Sequence, residues 1–112
     1  MPVDYDTFRT KSWAERVTFF NAISAKEKAE LVRTHISRWI AAHRKDLTPA
    51  QIEMTDEWLA FIKPASFELP RTEESMTLLR ALEARTAALF SREQMREALT
   101  MHWDPPRERA RQ

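Results

Sequence analysis

Not one of the 112 residues is glycine, and that absence constrains the fold more than any motif present. Type I′ hairpins depend on residues that tolerate positive φ. The phosphate-cradling loops of P-loop and dinucleotide-binding proteins depend on glycine backbone. Tight hairpins and glycine-cradled nucleotide sites are therefore excluded. No stretch shows the strict apolar–polar alternation of a half-buried strand either. The chain is left with helices and short connections.

The helix starts are legible. Ser12/Glu15, Ser24/Glu27, Thr48/Gln51 and Ser91/Gln94 each place a hydroxyl three residues before a longer acceptor side chain. In that arrangement the hydroxyl takes an orphaned amide and the longer side chain reaches back to the cap amide. Pro49 follows Thr48 at a first helical position, where a missing N–H costs nothing. Prolines also mark the stops: Pro64 after the third main segment, Pro70 in the linker "KPASFELP", and Pro105–Pro106 near the end. These signals predict helices over 13–22, 25–45, 49–63, 73–90 and 92–101, with an extra turn around 4–9. The expected fold is all-α, a small bundle of about five helices. It forms one domain over 1–103, followed by a mobile polar tail over 104–112.

Periodicity supplies the faces that such a bundle would bury. At 100° per residue, Trp13, Val17, Phe20 and Ile23 share one stripe. Ala29, Val32, Ile36, Trp39 and Ile40 share a second. Leu78, Leu79, Leu82, Leu89 and Phe90 form that of the fourth main segment, and Met95, Leu99 and His102 that of the fifth. The segment over 49–63 is apolar around half its circumference, with Glu53, Asp56 and Glu57 on the remainder. A helix of that kind is either central to a bundle or turned towards a partner.

Composition narrows the function. Eighteen basic residues nearly cancel seventeen acidic ones, which argues against a dedicated nucleic-acid binder with its strongly basic face. The basic positions of the second main segment (Lys26, Lys28, Arg33, Arg38, Arg44 and Lys45) keep a weak phosphate-tracking role as an alternative. There is no cysteine, so disulfides and thiolate chemistry are absent. No apolar run reaches the roughly 20 residues of a membrane span. The N-terminal stretch has no apolar core of the signal-peptide kind, and a cytoplasmic location is expected.

The stretch "THISRWIAAHRK" looks most like a chemical site, with His35 and His43 four residues either side of Trp39. Eight residues at ~1.5 Å rise set the imidazoles ~12 Å apart along the axis. One zinc ion needs each nitrogen at about 2.0–2.1 Å, so the pair cannot share one. No metal and no cofactor is expected. His43 falls mid-face near the helix end, where a ring N–H can reach a backbone carbonyl and a cation suits the dipole. His35 falls at the edge of the apolar face. A small-molecule-binding protein or enzyme with a pocket between helices, using His35, His43 or His102, is the alternative.

Residues 19–51, "FFNAISAKEKAELVRTHISRWIAAHRKDLTPAQ", carry a pattern of their own. Phe20, Ser24, Lys28, Leu31, Arg33 and His35 are followed by Ile36, Arg38, Trp39, His43, Leu47, Thr48 and Gln51. That order resembles the bacteriocin fulvocin C-related family of small bacterial proteins. The resemblance implies a bacterial accessory protein linked to peptide or antagonistic systems. It implies no catalytic residues.

The expected function is thus a non-enzymatic helical interaction protein of accessory, immunity-type or regulatory kind. Its partner would be a protein or peptide, taken by helix-in-groove or helix-face recognition. The candidate contact residues are Met54, Trp58, Phe61 and Phe67, with Glu53, Asp56 and Glu57 steering a basic partner. Trp103, beside the proline-rich end, is a further interface candidate. For each aromatic, burial in the core is the competing reading.

Overall fold

The computed structural model describes residues 4–68 and 72–99. Among these there are six helices and no strand: α1 (Tyr5–Phe8), α2 (Trp13–Ala22), α3 (Ala25–His43), α4 (Pro49–Phe61), α5 (Glu73–Leu89) and α6 (Arg92–Leu99). Short 3-10 turns lie at Arg44–Asp46 and Pro64–Phe67. The chain is an all-α bundle. His102, Trp103, the tail over 104–112 and the expected end of the last helix lie outside the described residues.

Every predicted capping box forms. At α2 the Ser12 amide donates to Glu15 Oε1 at 2.9 Å, and the Glu15 amide donates back to Ser12 Oγ at 3.2 Å. The same exchange opens α3, α4 and α6. Two further caps have the shorter Asp or Thr chemistry. Asp4 accepts from the Asp6 amide at α1, and Thr72 Oγ1 accepts from the Ser75 amide at α5.

The helix ends show how a glycine-free chain closes. With no residue suited to the left-handed cap, the chain leaves α2, α4 and α5 through extended residues: Ile23 (φ −91°, ψ 169°), Ile62 (φ −76°, ψ 107°) and Phe90 (φ −119°, ψ 153°). Side-chain donors then serve the carbonyls at several helix ends. Gln51 Nε2 donates to Leu89 O at 2.9 Å, and Ser66 Oγ to Phe61 O at 2.8 Å. Arg33 donates to the carbonyls of Leu59 and Ile62 at the end of α4. Past α1, Arg16 donates from Nε to Lys11 O at 3.0 Å and from Nη2 to Arg9 O at 2.5 Å. Charged and amide side chains from neighbouring elements do what a local glycine turn does elsewhere.

Helix α3 is the axis of the fold. It packs closely against α1, α4, α6 and the Pro64–Phe67 turn, and α5 joins α4 and α6. Its stripe of Ala29, Val32, Ile36, Trp39 and Ile40 is buried as its period predicts, and Trp39 has no exposure at all. Leu31 and His35 are buried too, because α3 has neighbours on more than one side. Burial of each large apolar side chain contributes about 1.5–3 kcal/mol, so this helix carries much of the stability.

Four differences from the sequence expectation have clear causes. Helix α4 ends at Phe61 rather than 63, since a proline at 64 holds Lys63 extended (φ −138°, ψ 167°). The linker beyond it is a 3-10 turn closely packed against α3, not a bare connection. Residues 44–46 tighten from α into a 3-10 turn. Leu82 on α5 and Phe90 just past its end are buried while Leu78 stands 53% exposed, because the stripe is wider than the surface that α4 and α6 cover.

Candidate binding cleft

The "THISRWIAAHRK" stretch resolves first. His35 is 1% exposed, and both ring nitrogens are engaged. Its Nε2 lies 2.7 Å from the Glu97 carbonyl oxygen and its Nδ1 lies 2.6 Å from the Tyr5 hydroxyl. A carbonyl only accepts, so Nε2 carries the proton and the tyrosine O–H donates to Nδ1. His43 is only partly buried. Its Nδ1–H donates to the Trp39 carbonyl at 2.9 Å, and its ring stacks on the Trp39 indole with centroids 4.4 Å apart. The order of burial is the reverse of the helical-wheel expectation. Tyr5 from α1 and Glu97 from α6 close over the edge that a wheel leaves to solvent.

Glu97 holds this row together. Its backbone oxygen takes His35, its side-chain Oε1 accepts Trp39 Nε1–H at 3.0 Å, and the same oxygen lies 3.8 Å from His43 Nε2. Three consecutive turns of α3 thus address one residue of α6. Among the described residues no three of His, Asp and Glu converge as a metal site would need. The histidines weld α6 to α3.

The other face of α6 borders a cleft of about 690 Å³. Helix α2 contributes Trp13, Val17 and Phe20, α3 contributes Val32 and Ile36, and α5 contributes Leu79. From α4 and the turn after it come Trp58, Phe61 and Phe67, and from α6 come Met95 and Leu99. The volume lies within the roughly 300–1,000 Å³ of ligand-taking clefts. The cleft opens to solvent along α2, where Trp13 and Val17 are 42% and 41% exposed. The expected burial of that stripe holds only in part: Phe20 and Ile23 pack against the core, and Trp13 and Val17 stay more exposed. Unlike the other helices, α2 belongs to none of the close helix pairings. Its apolar side chains divide: Phe19 meets Phe8 of α1 at 5.9 Å, while Trp13, Val17 and Phe20 line the cleft.

The predicted contact residues divide. Trp58, Phe61 and Phe67 border the cleft together, but Trp58 at 7% exposed and Met54 at 1% both belong to the core. Trp58 keeps its indole N–H satisfied by donating to Thr86 Oγ1 at 2.7 Å, and that hydroxyl donates onward to Leu82 O at 2.6 Å. Phe67 meets Phe20 edge to face at 6.0 Å. Glu57 is gripped by Arg85 through two bonds of 2.8 and 2.6 Å, and this holds its carboxyl below the usual glutamate range. Glu53 and Asp56 are exposed and lie off the cleft lining. The acidic row and the aromatic cluster therefore face different ways. Trp103 lies outside the described residues.

Neither His35 nor His43 lines the cleft, so the pocket exists without these histidines. Two of the six basic positions are engaged within the fold: Arg33 closes α4, and Arg38 pairs with Asp6 at 2.7 Å. Sequence reasoning missed the walls of the cleft, Trp13 and Val17 on one helix and Arg92, Met95, Arg96 and Leu99 on another. The signal was present in α6. At 100° per residue those four positions fall within an arc of about 100°, an apolar pair interleaved with a basic pair. No described helix is long and apolar enough to cross a membrane. Comparison with family models, with curated proteins and with solved structures returned no match for the chain.

Proposed function

We propose that this chain is a non-enzymatic binding protein that takes an amphipathic segment of a protein or peptide partner into the cleft bordered by α2 and α6. One observation carries the reading: Trp13 and Val17 remain 42% and 41% exposed along a cleft that Trp58, Phe61 and Phe67 also line. A helix face left half exposed beside an apolar cleft is a surface that a further apolar segment can cover. A groove with an aromatic floor suits a partner helix with anchors at i, i+3 or i+4, and i+7. The engagement of both His35 nitrogens supports a role in recognition over one in catalysis. The likeness of residues 19–51 to fulvocin C-related proteins adds a setting, that of a bacterial accessory, immunity-type or regulatory protein working in the cytoplasm.

A photo-crosslinking amino acid at position 17, compared with one at position 78, tests the reading in cells of the native host. Leu78 is more exposed than Val17 but lies off the cleft lining. Adducts with one partner at position 17 and none at 78 are expected. Equal labelling at both, or none at either, would remove the cleft as the recognition surface.

A further inference from the structure

We propose that this chain exchanges its N-terminal arm with a second copy of itself. The arm is α1 with α2, residues 4–22, and it joins the body through Ile23 and Ser24. Within the arm the two helices hold each other. Phe19 meets Phe8 at 5.9 Å, and Arg16 of α2 donates to the Arg9 and Lys11 carbonyls just past α1. The arm in turn sits on the body through Tyr5 to His35 at 2.6 Å, Asp6 to Arg38 at 2.7 Å and Phe20 against Phe67 at 6.0 Å. A surface that receives this arm is therefore already built in every copy. In an exchanged pair the same contacts are remade between chains. The balance between monomer and dimer is then decided by the hinge and by concentration.

The hinge has a second form open to it. Ile23 (φ −91°, ψ 169°) and Ser24 (φ −72°, ψ 163°) depart from helix mainly in ψ. Turning both ψ angles joins α2 to α3 as one helix over 13–43. No proline lies between residues 3 and 48, and there is no glycine, so the segment holds none of the strong helix breakers. The bend is held by the Ser24–Glu27 capping box, which a continuous helix replaces with backbone bonds to the residue four back. The straight form cannot be satisfied within one chain. Along it His35 lies about 33 Å from Trp13, whereas the stretch from Tyr5 to Trp13 reaches at most ~29 Å even fully extended. Tyr5 therefore meets a His35 only on another copy. Each cleft of the pair then takes Trp13, Val17 and Phe20 from one chain and Met95 and Leu99 from the other. The site becomes shared between copies, and this inference is independent of what the cleft receives.

A chain without cysteine permits a direct test. Asp6→Cys is placed in one chain and Arg38→Cys in another, because these exposed positions meet where the arm is seated and an exposed ion pair contributes little. The two chains are unfolded in urea, refolded together at high concentration and treated with a short bismaleimide. A single dilute chain carrying both Asp6→Cys and Arg38→Cys shows that the reagent spans the seat. A covalent dimer joining position 6 to position 38 is expected after joint refolding. Ser24→Ala removes the cap and suits a helix interior, so it should favour the straight form about tenfold at each hinge and enrich the covalent dimer. Ser24→Pro should abolish the link in a folded monomer. A φ of −72° after an extended Ile23 suits proline, which interrupts a continuous helix. No covalent dimer from Ser24→Ala chains, with the single-chain control crosslinked, would overturn the proposal whether or not the proline variant folds. Equal linkage in a folded Ser24→Pro chain would do the same. So would a sedimenting dimer whose links from 6 to 38 stay within each chain. In each of those cases the crosslinks from position 17 still test the cleft separately.

Discussion

His35 shows how a residue with catalytic chemistry becomes structural. Its imidazole sits with two partners of opposite character, a carbonyl that must accept and a hydroxyl free to donate. Of the two neutral tautomers, only the one with the proton on Nε2 satisfies both at once. Nitrogen-15 NMR of the folded protein is expected to show that tautomer for His35, and the Nδ1–H tautomer would contradict the arrangement. His35→Phe keeps the ring volume but strands the Tyr5 hydroxyl and the Glu97 carbonyl. With about 1–3 kcal/mol lost per unsatisfied buried group, urea denaturation is expected to show a loss of about 2–5 kcal/mol. The histidines at i and i+8 were legible as helix-face residues. That Tyr5 and Glu97 would close over one of them was not, since those partners lie 30 and 62 positions away.

The helices owe their beginnings to local chemistry and their ends to distant side chains. Gln51 serves both. Its Oε1 accepts the Thr48 amide at 2.9 Å, its own amide donates to Thr48 Oγ1, and its Nε2 reaches Leu89 O at the end of α5. Gln51→Ala is therefore expected to destabilise by about 1–2 kcal/mol, as a lost cap combined with a lost hydrogen bond does, read from the urea midpoint. Gln51→Glu should keep the box but not the contact with Leu89, and so recover part of the loss. The boxes at α2 and α3 add a pH dependence. Backbone amides of Ser12 and Ser24 hold the Glu15 and Glu27 carboxyls below the ordinary glutamate value of 4.5. Asp6 is lowered from 3.8 chiefly by its hydrogen bond from Arg38, and Glu57 likewise by Arg85. A lowered folded value means that the native state binds these protons less readily than the unfolded chain does. Their contribution is complete above the ordinary carboxylate range and is lost as pH falls below 4.5 through the lowered values. The urea midpoint should thus fall between pH 6 and pH 3. In a Glu15→Gln/Glu27→Gln variant, which preserves the boxes without charge, the fall should be shallower. An unchanged slope would show that these caps carry no linkage.

Across the described residues packing is uneven, and the cleft borders one of the less closely packed helices. Helix α3 has neighbours on several sides, whereas α2 enters no close helix pairing and keeps Trp13 and Val17 about two-fifths exposed. Local opening follows such differences in packing. Native-state amide exchange is expected to show α2 opening well below the global free energy, with the middle of α3 exchanging only near it. Peptide occupancy of the cleft should slow exchange in α2 first. Equal protection of α2 and α3 in the free protein would mean that α2 is packed as firmly as the rest, and the cleft would lose its adaptable wall.

The amino-acid order alone determined that the chain is helical, where its helices begin, and which face of α3 is buried. Those properties rest on groups within four residues of one another, through cap hydroxyls, a 3.6-residue period, prolines and the want of glycine. Tertiary packing decided which stripes are covered, which of two histidines is buried and how the helix ends are closed. The stripe of α2 is as regular as that of α3, and its period holds no information on whether another helix lies across it. Burial is a property of two surfaces, and a one-dimensional pattern describes one of them.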